Sequence, residues 1–444
     1  MRRNSTVYQK LIVLFAASML SSAFAFADDM LITGARIFDG NGPKLLEGQD
    51  VLIKDGRIAS MAPNIGPQDG VTVIDAGGRV MTPGFIDSHA HLMLQMSYAE
   101  GLHADEFYHA YIGSRTARQY LMHGFTTVRD VMGNTYSLKS VIDQGILDGP
   151  RIFPSGPFIS QSSGHGDHRT PANKSNNIQR DPDLFTKYFH AAVVDGRPEV
   201  LNIVREALRR GSSQIKIGVG GGTGTETDPL DVVQFTEDEI RAAVEAASDW
   251  HTYVTAHVYN SDGIERAIHA GVKCIEDGQL MNEKTMMLMK EKGIWLSPQV
   301  IVYTFIPRGY TEDQAAKHRQ AYDGIDNMFK MTKRIGFEKI AFGTDIITDP
   351  EMIERMNEEF VLRTKWFDNV EVLRQATSKS AELLALSGPR NPYPGKLGVI
   401  EEGAHADLLL INGNPLENIS ILTNYRESVA LIMKGGEIFK NTIK

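Results

Sequence analysis

The rhythm of apolar and polar positions divides the chain into a barrel-sized middle flanked by two strand-rich ends. Between Met30 and Val80, the short apolar runs Leu31-Ile32-Thr33, Ala35-Arg36-Ile37-Phe38, Val51-Leu52-Ile53, Ile58-Ala59-Ser60-Met61 and Val71-Thr72-Val73-Ile74 are separated by polar turn clusters. Lys54-Asp55-Gly56-Arg57 places an Asp-Gly pair between two such runs, which predicts a hairpin. The other end repeats the pattern, with runs at Ala406–Ile411 and Val429–Met433 and the turn Lys434-Gly435-Gly436 before Glu437-Ile438-Phe439. Neither end has enough strands to bury a face alone. The expectation is one small β-sandwich built from residues 28–82 and 391–444.

Between residues 83 and 390 the pattern changes. Strand-like runs at Thr126–Asp130, Gln214–Ile217, Tyr253–His257, Cys274–Glu276, Ile294–Ser297 and Ala341–Asp345 alternate with helical stretches at 198–210, 236–250 and 282–292. Thr236 and Glu239 stand at capping-box spacing. Alternation over some 300 residues predicts a parallel α/β fold, and the length fits a (β/α)8 TIM barrel, whose usual size is about 250 residues. The alternative, a doubly wound nucleotide-binding sheet, lacks a G-x-G-x-x-G turn after its first strand, and the glycine-rich stretch Gly218–Gly224 leads into no clear helix.

The first 27 residues differ again. Arg2 and Arg3 precede a nearly continuous apolar run, Leu11–Leu20, and Ala25-Phe26-Ala27 stands before Asp28-Asp29, the pattern of a cleaved signal peptide. The run is shorter than the roughly 20 residues of a membrane span. The expectation is an exported chain, periplasmic or secreted, with no membrane attachment after cleavage. Removing this segment takes away three cations and no acid, so the net charge falls from −9 to −12. That balance disfavours nucleic acid as a partner. A single cysteine, Cys274, excludes an internal disulfide framework and a cysteine-based zinc module, so a metal site would use His, Asp, Glu or a modified Lys.

Five strand-like runs carry a titratable residue. His89 and His91 in Phe85-Ile86-Asp87-Ser88-His89-Ala90-His91 share one side of a strand by period-2 spacing and can meet one ion. Lys216 lies within the apolar Ile215-Lys216-Ile217, where a charged amine is costly. His257, Asp277 and Asp345 stand at the ends of three further runs. Individually each has an ordinary structural explanation: a hydrogen-bonded core histidine, a helix-capping aspartate, a lysine reaching the surface. Together they match the catalytic end of a barrel, where active sites are built from strand termini. Arg129-Asp130 reads as a structural ion pair, Glu276 as pointing away from Asp277 by strand alternation, and His168 and Arg169 as exposed. Tyr259, two residues past His257, either donates to a substrate carboxylate or packs at the barrel mouth. No G-x-S-x-G nucleophile elbow is present.

The stretches TPGFIDSHAHL, QIKI, TAHVYN, CIEDG and AFGTD, with Ser163-Gly164-His165-Gly166-Asp167 and the late GVIEEGAHADL, resemble the amidohydrolase superfamily over essentially the whole mature chain. The branch is that of imidazolonepropionase-related dipeptidases and carboxypeptidases, including ochratoxin-hydrolysing amidohydrolases. The resemblance implies a distorted barrel with two divalent metal ions, zinc by expectation. His89 and His91 would hold the more buried ion, Lys216 as N6-carboxylysine would bridge both, and His257 would hold the second. Asp345 would bind metal and act as general base and then acid around a metal-activated hydroxide. His165 would stabilise the oxyanion. The substrate implied is a small amide, dipeptide-like, N-acyl amino acid or ochratoxin-type; export disfavours imidazolonepropionase itself. The family pattern I-E-H-G reads Ile275-Glu276-Asp277-Gly278 here, so Asp277 takes the position of a histidine ligand. Retained but altered metal binding is expected. The alternative is a metal-depleted, non-catalytic binding protein on the same fold. A homo-oligomer is left open.

Overall fold

The computed structural model describes residues 29–169 and 183–443. The signal segment expected over 1–27 lies outside the described residues. No helix among the described residues is long and apolar enough to cross a membrane.

Both chain ends enter one eight-stranded sheet. The strands are β1 (Met30–Ile37), β2 (Leu46–Lys54), β3 (Arg57–Ala62), β4 (Thr72–Asp75) and β5 (Val80–Pro83), joined much later by Leu408–Ile411, Val429–Lys434 and Glu437–Asn441. β5 is the seam: it pairs parallel with β1 and antiparallel with Leu408–Ile411. Asp55 and Gly56 turn the β2–β3 hairpin with φ of 50° and 70°, the double positive φ of a type I′ turn. Instead of two separately bonded layers, the sheet curls on itself. Ile58 N–H donates to Ala404 O, and the β1–β3 side chains share one apolar core with Leu408, Leu410, Leu431 and Met433.

The barrel follows. Its strands are β6 (Phe85–Ala90), β7 (Phe125–Asp130), β8 (Arg151–Pro154), β9 (Phe158–Ser160), β10 (Ala191–Val193), β11 (Ile215–Gly218), β12 (Val254–Asn260), β13 (Cys274–Leu280) and β14 (Trp295–Ser297). Two parallel sheets, β6-β7-β8 and β10-β9-β11-β12-β13-β14, close on each other. Ser213 N–H donates to Pro154 O across one seam. Residues 341–345 fill the other: Ala341 N–H bonds Leu296 O, Ser88 N–H bonds Phe342 O, and Asp345 N–H bonds His89 O. The expected eighth strand is thus an extended segment that never forms a full ladder. Gly343 lets it approach β6, since a Cβ there would lie 2.8 Å from the His89 Cβ.

The helices over Arg197–Arg210, Glu237–Asp249 and Glu283–Lys292 agree with the apolar periodicity to within a residue at each end. Thr236 and Glu239 form the reciprocal capping box. Ile86, Phe153, Cys274, Trp295 and Ala341 pack as an apolar floor. That floor fills one end of the barrel and leaves the strands' carboxyl ends to converge on the other.

Candidate active site and metal centre

Above the floor, three donor atoms meet. His89 Nε2 and His91 Nε2 lie 3.2 and 2.9 Å from Asp345 Oδ1, with both imidazoles almost fully buried. These three residues are the candidate metal cluster among the described residues. On the far side of the His89 ring, Nδ1 lies 2.9 Å from Glu276 Oε2 and 2.6 Å from the Gln299 amide. A carboxylate there favours a proton on Nδ1 and leaves the Nε2 lone pair for the centre. Burial lowers the His89 pKa, but the charge of Asp345, with hydrogen bonding to Asp345 and Glu276, outweighs it and raises it to about 9. Burial alone would raise the Asp345 carboxyl; the adjoining imidazoles hold it well below its usual value.

A second cluster faces the first. His257 Nδ1 lies 2.6 Å from Asp277 Oδ2, while His257 Nε2 bonds Gly221 O at 3.1 Å and so carries the proton. Nδ1 is therefore the atom left to bind. Asp277 Oδ2 is buried, and its contact with the ring does not have hydrogen-bond geometry. Its other oxygen accepts from Tyr303 at 2.9 Å, and the Tyr303 oxygen lies 2.8 Å from that of Tyr259. Lys216 reaches the same cavity; its side chain is buried, and among the described residues no hydrogen bond or ion pair engages its amine. Burial, the largest influence, lowers its pKa. A buried amine whose pKa burial lowers, set between two carboxylate–imidazole clusters, suits carbamate formation, and the buried Asp277 oxygen beside His257 Nδ1 suits a cation. The donor set therefore fits two divalent ions.

Three expectations need correction. Arg129 pairs with Glu276 at 2.5 Å and donates to Ser88 O, whereas Asp130 accepts the Leu92 N–H at 2.8 Å. Glu276 does not point away from the site. Asp277 and Gly278 adopt φ of 73° and 79°, which breaks strand alternation and lets adjacent carboxylates serve adjoining clusters. Asp345 is left-handed as well, with φ of 52°. His168 lines the cavity and Arg169 is mostly covered beside Asp167, so neither is freely exposed.

His165 sits on the loop after β9 and stacks on His257, with ring centroids 4.4 Å apart and planes 11° apart. Its Nδ1 is 3.2 Å from Asp228 Oδ2 and 3.1 Å from Thr225 Oγ1. Asp228 is itself buried, accepts the Gly222 N–H at 2.8 Å, and is held ionised against burial by His165. The glycine-rich loop forms this cradle: a Cβ on Gly222 would come within 2.0 Å of the His165 ring. With Nδ1–H committed to Asp228, the His165 Nε2 keeps a lone pair unless the ring is protonated. Asp228→Asn is expected to lower kcat by about ten- to a hundredfold, the usual cost of losing a carboxylate that orients an imidazole. KM should move little; steady-state kinetics that show only a KM change would remove Asp228 from this role.

Residues 80–438 match the amidohydrolase family along most of the chain. The chain belongs to the amidohydrolase family. It is 30% identical to ochratoxinase from Aspergillus niger over 373 residues, covering 81% of this chain and 76% of that protein. The fold superposes on a prolidase complexed with N-methylphosphonate-L-proline with a TM-score of 0.86 and 32% identity, covering 93% and 100% of the two chains. A Xaa-Pro dipeptidase with methionine bound in its active site gives 0.81 and 29%, covering 93% and 100%. The protein is accordingly a hydrolase of carbon–nitrogen bonds, on the TIM-barrel scaffold of its family.

All eight site residues expected for the amidohydrolase line one cavity or its wall: His89, His91, His165, Lys216, His257, Tyr259 and Asp345 line it directly, with Asp277 behind His257. The Tyr259 hydroxyl, buried and engaged with Tyr303, would have to exchange that partner to meet a substrate. Glu276, Gln299, Tyr303 and Asp228 were not anticipated. Gln299 alone had a visible signal, as a polar residue just past an apolar strand end, the same position as the others.

Proposed function

We propose that the protein hydrolyses the amide bond of dipeptide-like or N-acyl amino acid substrates with an apolar flanking group, using two divalent cations, zinc in at least one position. The observation carrying this reading is the convergence of His89, His91 and Asp345 beside a buried, unpaired Lys216. We infer that His89, His91 and Asp345 would hold one cation and His257 and Asp277 the other, with Lys216, once carboxylated, as a further anionic donor. Once bound, the cations polarise the scissile carbonyl and make a water acidic enough to ionise near neutral pH.

The protein's own residues supply the rest. Asp345, kept ionised by two imidazoles, accepts a proton from the attacking water as the O–C bond forms. It then delivers that proton to the amide nitrogen as the C–N bond breaks, giving a carboxylate and an amine. His165, clamped by Asp228, donates toward the carbonyl oxygen as negative charge develops there.

The cavity supports the substrate class. Leu94, Met96, Val131, Met132, Phe158 and Phe185 form its apolar wall, and Lys216 is the one lysine or arginine among its lining residues. Burying a large apolar side chain is worth roughly 1.5–3 kcal/mol, about ten- to a hundredfold in kcat/KM. An N-acyl amino acid panel should therefore rank aromatic and branched groups above aspartyl or glutamyl ones by that factor. A flat or acid-preferring ranking would contradict the assignment, and absence of amide turnover with two ions bound would favour the ligand-binding alternative.

A further inference from the structure

We propose that the position held by His257 and Asp277 is a hard, oxygen-rich metal site that discriminates against zinc and in favour of manganese-like cations, relative to the imidazole-rich position facing it. This inference rests on the two-metal reading given above. Its basis is the way this chain presents Asp277.

The two positions differ in donors. The His89–His91–Asp345 cluster offers two imidazole nitrogens and one carboxylate oxygen. The opposite cluster offers one imidazole nitrogen, His257 Nδ1, and one carboxylate oxygen, Asp277 Oδ2, 2.6 Å apart. A bridging Lys216 carbamate would give each position a further oxygen. The second position is then the one with more oxygen than nitrogen, and carboxylate donors favour manganese and magnesium more than imidazoles do.

The arrangement holds Asp277 to this role. Its Oδ1 is occupied by the Tyr303 hydroxyl at 2.9 Å, so only Oδ2 is turned toward His257. Because the ionised carboxylate can only accept, Tyr303 must be the donor. The Tyr303 oxygen in turn accepts a hydrogen bond from the Tyr259 hydroxyl at 2.8 Å. Two buried phenols thus brace one carboxylate oxygen and leave the other with His257 Nδ1 as its neighbour. Asp277 also sits at φ 73°, a conformation aspartate tolerates better than most residues, and its short side chain there meets His257 Nδ1.

The test counts metals and does not depend on turnover, so failure to find a substrate would not obscure it. Metal-free full-length protein is equilibrated with Mn2+ in large excess over Zn2+, freed of unbound ions and analysed by mass spectrometry. Wild type is expected to retain about one manganese and one zinc per chain, with the electron paramagnetic resonance hyperfine pattern of magnetically isolated Mn2+. Asp277→His should raise the zinc-to-manganese ratio at least about tenfold and approach two zinc ions. Tyr303→Phe, a milder change, should weaken manganese retention about tenfold or more, as loss of an outer hydrogen bond to a ligand typically does. The same zinc-to-manganese ratio in wild type and Asp277→His would overturn the inference, as would one ion per chain in wild type. If Asp277→His does not fold, full manganese retention in Tyr303→Phe would overturn it.

Discussion

Asp345→Asn is expected to lower kcat by about a thousandfold or more while the protein remains folded. Proton transfer by a positioned side chain contributes about 10²–10⁴-fold by itself. Here the same oxygen also contacts two buried imidazoles at 2.9 and 3.2 Å, so metal retention should fall as well. Asparagine is a suitable probe because it is isosteric and tolerates the φ of 52° that the position requires; alanine would add backbone strain. In the metal-free protein, Asp345 is also one of the two carboxylates that raise His89 to about 9. Removing it lets burial pull that pKa down, so a proton competes less with any ion for the ring. Metal titrations of the metal-free variant followed against pH should therefore show proton release at lower pH than in wild type. Retention of more than about a tenth of wild-type kcat with normal thermal unfolding would remove Asp345 from the proton path.

The parts of this site visible in the sequence are those marked by strand periodicity. His89 and His91 stand two apart on an apolar strand, and Lys216, His257 and Asp345 each sit where such a run ends or where a charge is out of place. The barrel and the sheet shared by both ends were legible for the same reason, because each element's apolar face repeats at its own period. What was not legible depended on departures from period. Alternation assigned Glu276 and Asp277 to opposite sides, and two consecutive positive φ angles cancel that rule. Arg129 was matched to its neighbour Asp130, but its partner lies on β13, which is remote in sequence and close only once the barrel closes. Asp228 lies in a loop with no period at all, and its meaning depends on the His165 ring it holds.

Lys216 gives the other large effect. Lys216→Ala is expected to lose about a thousandfold or more in kcat together with at least one bound metal, since the polarisation a metal supplies is worth several kcal/mol of barrier. Replacement by Met separates two reasons for that loss. If the residue mattered only for its apolar stem against Phe158, whose ring lies 5.7 Å from Nζ, Met would restore function. If it matters as a carbamate, Met fails. Ala, which leaves room, should then be partly rescued by added short-chain carboxylates, and Met should not be. Wild-type protein stripped of metal should likewise regain activity only when both CO2 and divalent cations are supplied. The reason is electrostatic. Glu276 is already matched by Arg129, but Asp345 lines this cavity and Asp277 stands just behind His257, so an anionic carbamate would be repelled until cations arrive. The cations would in turn gain this oxygen donor only once the amine, which burial drives toward neutrality, had reacted. Carboxylation and metal binding should thus each strengthen the other. Metal uptake insensitive to CO2, measured on the stripped wild-type protein, would show that Lys216 remains an amine and that the two positions are not bridged through it.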